Sequence, residues 1–267
     1  MAVRKAGKKV AAEPKRNAPN AAPTRRRGRP PVSENALLDR QLIIACAFQM
    51  SRTMPLQDLS VVRVARELGV TPALIHYYLN GREALTSGVM NAFYRETLAD
   101  WPKASGNWRA DVEAVVRHVY NAHVKYPGVA AYVVAHNRFR LKQLLVEGET
   151  DYGILLFEHV VAAVREATFD SYRTAMWSHL LIDFVVSMAF AAVRHRFPGE
   201  HGEHLDRIFA ELDPKQFPAI AFVRKDYVRL NAGEAFAEAL RLMLTTIELE
   251  QPRGSGSARA GSGAKQR

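Results

Sequence analysis

Residues 59–85 read Leu59-Ser-Val-Val-Arg-Val-Ala-Arg-Glu-Leu-Gly-Val-Thr-Pro-Ala-Leu-Ile-His-Tyr-Tyr-Leu-Asn-Gly-Arg-Glu-Ala-Leu85. After Ser60, the apolar residues Val61, Val64, Ala65 and Leu68 fall on one face of a short helix that ends at Gly69. Gly69 can take the left-handed backbone that a tight turn requires, and Val70 pins the turn to the core. Thr71 then predicts a helix N-cap, with Pro72 at the first helical position, where a missing N–H costs nothing. This helix continues through Leu74, Ile75 and Tyr78 until Asn80-Gly81 stops it. Two short helices joined by such a turn make a helix-turn-helix. In that motif the second helix enters the DNA major groove N-terminus first. Thr71, Pro72 and Ala73 would then face base edges, Thr71 as a hydrogen-bonding group and Pro72 and Ala73 against a thymine methyl.

Helical periodicity extends outward from this stretch in both directions. A first helix is expected from about Glu34 to Ser51, with Ser33 as its cap and Leu38, Leu42, Ala45, Cys46 and Met50 on one stripe. A fourth helix should start around Arg82 and run toward Trp101-Pro102. Further helices are expected at 107–125, 128–145, 151–167, 171–195, 216–230 and 233–249, with breaks at Pro127-Gly128, Gly148, Asp170, Pro198-Gly199 with Gly202, and Asp213-Pro214. No alternating strand pattern or Asn-Gly or Asp-Gly hairpin turn interrupts them. Helix 171–195 is apolar on several faces, which is expected of a helix buried on more than one side. A subunit contact made by this helix and 233–249 would account for it and would make the chain a homodimer. The fold class is therefore all-α: an N-terminal three-helix helix-turn-helix DNA-binding domain joined to a C-terminal helical bundle for ligand binding and dimerisation. The expected divisions are a disordered basic tail at 1–32, the DNA-binding domain at 33–95, the bundle at 96–250 and a flexible basic tail at 251–267.

Charge is concentrated at the ends. Of 37 Lys and Arg in 267 residues, ten lie in 1–32 beside a single acid, Glu13, and four lie in 251–267 with no acid. The body between carries a net charge of −3. A mildly acidic body with two cationic tails suits a partner that is a polyanion, with double-stranded DNA ahead of an anionic membrane surface. The lone Cys46 cannot form an intrachain disulfide and is expected to be a small core residue, which fits a reducing compartment. No apolar run follows the N-terminal charges, so no secretory signal is expected. The most apolar stretch, Leu180 to Val193, contains Asp183 and is shorter than the about 20 residues of a membrane span. The expectation is a soluble, cytoplasmic chain with no membrane partner.

Enzyme signatures are missing: no Gly-rich phosphate loop, G-x-S-x-G elbow, H-E-x-x-H or Cys-x-x-Cys is present. His195, Glu200, His201, Glu203 and His204 read as a surface loop rather than a metal site, because they lie in a Pro/Gly-broken segment with no helical i, i+4 histidine pair. No metal, no cofactor and no catalytic residue are expected.

The stretch 59–85 closely resembles the DNA-binding domain of TetR-family (tetracycline-repressor-like) transcriptional regulators, and the likeness covers roughly 34–95. A weaker likeness to a tetracycline-repressor-type C-terminal domain runs through Asp213-Pro214, Phe217-Pro218-Ala219 and Ala235-Phe236-Ala237. The resemblance implies that Ser60 caps the second helix and touches a phosphate. It implies backbone contacts for His76, which stands where the family usually has tyrosine, and for Tyr77 and Tyr78. Arg82 matches the basic residue, usually lysine, that begins the fourth helix and reaches a phosphate. Val62 occupies a position where some members carry a base-reading arginine. With no Lys or Arg in the recognition helix, electrostatic affinity must come from elsewhere. Arg27-Gly28-Arg29-Pro30 resembles the core of an AT-hook, in which arginines such as Arg27 and Arg29 lie in a narrow minor groove.

Family members bind an inducer inside the C-terminal bundle, so the resemblance also implies a small-molecule effector, largely apolar, held there. The polar candidates for that interior are His118, Tyr126, His136, Asn137, Trp177, His179 and Asp183; a buried Asp183 would need a partner. The function implied is a sequence-specific DNA-binding regulator, a repressor released from a palindromic operator by its effector. An architectural DNA-binding protein acting through its basic tails, and an enzyme built on a helical body, are the alternatives.

Overall fold

The computed structural model describes residues 38–135, 143–168 and 170–251. Among them are eleven α-helices, two short 3-10 turns and no strand. The first four helices are α1 (Arg40–Met50), α2 (Val61–Glu67), α3 (Pro72–Tyr78) and α4 (Gly81–Ala99), with a 3-10 turn at Leu56–Asp58 between α1 and α2. The larger part of the chain forms α5 (Trp108–Lys125), α6 (Pro127–Ala135), α7 (Tyr152–Thr168), α8 (Ser171–Val193), a 3-10 turn at Pro198–His201, α9 (Gly202–Ala210), α10 (Pro218–Tyr227) and α11 (Ala232–Glu250).

Local chemistry sets most of these boundaries. The first helix begins at Arg40 rather than near Glu34, because Asp39 takes the extended N-cap backbone and its carboxylate accepts from the Leu42 N–H at 2.7 Å. The expected cap Ser33 lies outside the described residues. Ser60 caps α2, accepting from the Arg63 N–H at 3.3 Å. Asn107, Asp170 and Asn231 do the same for α5, α8 and α11, each satisfying donors that a helix N-terminus leaves open. Thr71 takes the extended N-cap backbone of α3, but its hydroxyl makes no capping bond, so the threonine marks the boundary without spending its side chain on it.

Two apolar cores organise the molecule. The first, in the head, joins Ile43, Ala47 and Phe48 of α1, Leu56 and Leu59, Val61, Val64 and Ala65 of α2, Ile75 and Leu79 beside α3, and Leu85, Val89, Met90 and Phe93 of α4. The second joins Val112, Val115, Val116 and Val119 of α5, Val160 and Val164 of α7, Trp177, Leu181 and Val185 of α8, and Phe236, Leu240, Leu244 and Ile247 of α11. Tyr126, Val129 and Tyr132 belong to the first core and not the second. The helix expected at 128–145 is seen over Pro127–Ala135, and residues 143–145 at its expected end are not helical; the Pro127-Gly128 break turns it back onto the end of α1. There the Gly128 N–H donates to the Ser51 carbonyl at 3.1 Å. Contact is so close that a Cβ on Gly128 would stand 2.1 Å from the Met54 carbonyl oxygen and 2.6 Å from that of Ser51.

The segment 202–210 is helical, although its glycines and histidines suggested a loop. Leu205, Ile208, Phe209 and Leu212 recur at helical spacing, a stripe that the flanking Gly199, Gly202 and Pro214 obscure in the sequence. By length and composition α8 could cross a membrane, because its apolar run extends beyond Leu180–Val193; its inner face, Trp177, Leu181, Val185 and Ala189, is buried in the protein.

His123 is buried against Phe93, with ring centroids 4.9 Å apart, and its Nδ1–H donates to the Val119 carbonyl at 2.9 Å. Burial lowers its pKa below 6.5, and the Val119 hydrogen bond only partly opposes this. The unfolded chain therefore binds a proton there at a pH where the folded chain does not. Its contribution to stability is present above about pH 6.5 and is lost as pH falls through the folded value, by up to about 1.4 kcal/mol per pH unit. In chemical denaturation from pH 7.5 to 5.0, the slope should be measurably shallower in His123→Gln than in the parent chain.

Candidate nucleic-acid interface

The head displays one face of α3 to solvent. Ile75 and Leu79, fully buried, fix its inner side, while Thr71, Pro72, Ala73, His76 and Tyr77 are exposed. Tyr77 is 81% exposed and meets Tyr78, which is half-buried, edge to face at 5.2 Å. The turn that presents α3 is closed by Val70 N–H donating to the Ala65 carbonyl at 2.9 Å, and Gly69 adopts φ +66°. That backbone is unfavourable for a residue with a Cβ, which is why the turn falls at this glycine.

The candidates from sequence thus divide by place. Thr71, Pro72, Ala73, His76 and Tyr77 share the open face of α3, and Ser60 sits at the start of α2. Arg82 is exposed at the start of α4, with its guanidinium donating to the Gln57 carbonyl; this bond pins the base of α4 to the 3-10 turn while part of the fork stays at the surface. Arg27 and Arg29 lie outside the described residues. Two cations were not singled out in the sequence: Arg63 and Arg66, both exposed on α2. Their i, i+3 spacing on the polar side of α2, beside the 54% exposed Val62, was the available signal. They place positive charge next to α3, which carries no Lys or Arg of its own.

Among the described residues, the bundle candidates are not brought together. His118 is half-buried and its Nε2–H donates to the Thr97 carbonyl of α4 at 2.6 Å. Tyr126 stands in the core of the head, stacked on Phe48 at 4.5 Å, with its hydroxyl donating to Glu96 at 2.6 Å. Burial raises the Tyr126 pKa, and the Glu96 carboxylate adds to the rise. For Glu96 itself, burial opposes ionisation, but hydrogen bonds from Lys125 and Tyr126 outweigh it and hold the carboxyl below its ordinary value. Trp177 is buried in the second core, and its indole N–H donates to Glu250 at 3.0 Å. His179 and Asp183 are exposed on the outer face of α8, two residues out of phase with buried Leu181 and Val185, hence on the opposite side of the helix. An exposed Asp183 needs no buried partner. His136 and Asn137 lie outside the described residues. Of the described candidates none lines the groove of about 520 Å³ between α5 and α11, whose charged rim is formed by Arg109, Glu113, Arg117, Glu234, Glu238 and Arg241.

The outer faces of α8 and α11 carry a different pattern. On α11, Phe236, Leu240, Leu244 and Ile247 face the core, whereas Leu242 and Leu249 are 51% and 77% exposed. With Ala235, Ala239 and Thr246 they repeat at alternating steps of four and three residues, the spacing of a helix-packing seam. Tyr172 and Leu180 are exposed on α8.

No protein-family model matches the chain, and no curated protein matches it. Solved structures do. ActR of Streptomyces coelicolor without ligand superposes with a TM-score of 0.66 at 19% identity, covering 81% of this chain and 97% of ActR. The same TetR-family protein in complex with actinorhodin gives 0.67 at 19% identity over 82% and 99%. A transcriptional regulator described as a TetR from the same organism gives 0.62 at 18% identity over 80% and 99%. At such identities the likeness establishes architecture, and the architecture agrees with the all-helical expectation for both parts of the chain. This protein has the fold of the TetR-family transcriptional regulators.

Proposed function

We propose that this chain is a TetR-family regulator that binds double-stranded DNA as a homodimer. In this reading α3 lies in the major groove, with Thr71, Pro72 and Ala73 toward the bases. Ser60, His76, Tyr77, Tyr78 and Arg82, joined by Arg63 and Arg66, lie toward the phosphates. The observation that carries the reading is the open face of α3 on a head whose turn geometry and core match its sequence motif. Residues 33–95 serve DNA binding and 96–250 serve effector binding and dimerisation. Exposed apolar stripes on α8 and α11 support the dimer, which sets two recognition helices about 34–36 Å apart on a pseudo-palindrome. A solved structure of similar fold, ActR, is in complex with actinorhodin, and this supports a small organic effector bound in the body. Repression relieved by that effector follows if it binds better to a state whose heads are wrongly spaced. A soluble, cytoplasmic location and the lack of an enzymatic role accompany this reading. Arg27 and Arg29 extend the contact into the flanking minor groove.

A footprint at physiological salt on DNA flanking the gene tests this. The expected result is a protected pseudo-palindrome, lost at least about 100-fold in affinity in Ala73→Glu, which sets a carboxylate against the bases without touching the core. Removing residues 1–32 should erase flanking protection and flatten the salt dependence. Protection everywhere, unchanged by Ala73→Glu, would instead favour the architectural alternative.

A further inference from the structure

The open face of α3 offers few groups with which to tell one base pair from another. Its exposed side chains are Thr71 at the cap and Pro72, Ala73, His76 and Tyr77 on the helix, whereas Leu74 and Tyr78 are half-buried and Ile75 and Leu79 are turned into the core of the head. Thr71 ends in one hydroxyl that makes no capping bond; a hydroxyl both donates and accepts, so it pairs with either kind of base. His76 and Tyr77 stand a turn further along, toward the phosphates in the orientation given above. What meets base edges at the N-terminal end of α3 is then the ring of Pro72 and the methyl of Ala73. Val62, 54% exposed at the start of α2, is apolar as well.

Polar readout of the major groove uses Arg or Lys on guanine, Asn or Gln on adenine, and Asp or Glu on the cytosine amino group. α3 carries none of these six residue types. The feature that remains for an apolar surface is the C5-methyl of thymine, the one apolar group that a base pair presents in this groove. Contacts from Arg63 and Arg66 to phosphates would fix register without carrying sequence information.

We infer that thymine methyl groups are what α3 selects, with Pro72 and Ala73 as the specificity-determining residues, so that each half-site presents thymines to the N-terminal end of the helix. This rests on the DNA-binding reading above and adds which chemical feature of the duplex the head distinguishes. One methyl buried in this way changes affinity about fourfold, against about 5–150-fold for a bidentate side chain on its base. Selectivity therefore accumulates over several thymines and both half-sites instead of residing in one pair. Arg25, Arg26, Arg27 and Arg29 precede the head in the sequence, and arginine favours the narrow minor groove of A·T stretches, so one operator composition suits both.

The test starts from the duplex that the full chain selects out of a randomised pool at physiological salt. Thymine is replaced by deoxyuridine in symmetric pairs of positions, one pair at a time; uracil keeps every hydrogen-bonding group of thymine and lacks only the methyl. Each probe is titrated with the parent chain and with Pro72→Ser/Ala73→Ser, whose changes lie at exposed positions, and circular dichroism confirms that the variant is folded. The parent should lose about tenfold or more at one or more symmetric pairs, and the variant less than threefold at the same pairs. A selected duplex whose affinity for the parent is indifferent to deoxyuridine at every position overturns the methyl reading, whatever the variant does, and leaves a sequence-specific regulator standing. A loss as large in the variant as in the parent also overturns it, since the methyl would then act through the stiffness of the duplex and not through contact. A pool that yields no preferred duplex overturns the DNA-binding reading itself.

Discussion

Gly128→Ala is expected to destabilise the protein by about 3 kcal/mol or more, the upper range for overpacking a closed site. The added methyl would stand 2.1 Å from the Met54 carbonyl oxygen and 2.6 Å from the Ser51 carbonyl oxygen. Both obstacles are backbone, so no side-chain rotation relieves the clash, and the Gly128 N–H to Ser51 bond is lost when the chains part. The effect reaches beyond stability, because this contact carries Tyr126, Val129 and Tyr132 into the core of the head. Urea denaturation should show a lower midpoint. Gly233→Ala is the control: its Cβ would meet only the Asn231 side chain, at 3.5 Å, and alanine inside a helix is favourable by up to about 1 kcal/mol relative to glycine. Equal midpoints for Gly128→Ala and the parent chain would mean that α6 does not press on the end of α1.

Leu242→Glu with Leu249→Glu should abolish the dimer and lower operator affinity by about 10²–10⁴-fold. Each substitution acts on a side chain that is mostly exposed in the protomer, so helicity and the unfolding midpoint should change little. Two carboxylates facing their symmetry mates oppose association, and the second recognition helix then loses the high effective concentration that linkage gave it. Light scattering reads the assembly and titration of a palindromic probe reads the affinity. A double variant that remains dimeric would move the subunit contact away from α11.

Particular residues show how far sequence pattern reaches. The α2–turn–α3 unit was legible because each signal in it is local: Ser60 as cap, Gly69 for φ +66°, Pro72 at a first helical position, Asn80-Gly81 as stop. Alternating burial of Ile75 and Leu79 against exposed His76 and Tyr77 follows from helical phase alone. α9 was missed for the same local reason, since two glycines and several histidines masked a four-residue apolar stripe. The bundle candidates were chosen by residue type, and type does not fix direction: Asp183 and Leu181 are two positions apart on one helix and face opposite ways.

By itself, then, the sequence determined what depends on neighbours within a turn or two of chain: an all-helical protein, the breaks between most helices, the helix-turn-helix and the open face of its second helix. Tertiary structure alone decided what depends on pairs distant in the chain. It assigned Tyr126 and α6 to the core of the head through the Gly128 approach to Ser51 and Met54, spent the Trp177 indole on Glu250 and His118 on Thr97, turned His179 and Asp183 outward, and left α9 and α10 without a buried side chain. Local propensity is set by bonded neighbours and helical periodicity, whereas these outcomes require two surfaces far apart in sequence to meet at atomic distance, a condition that no stretch of residues read singly contains.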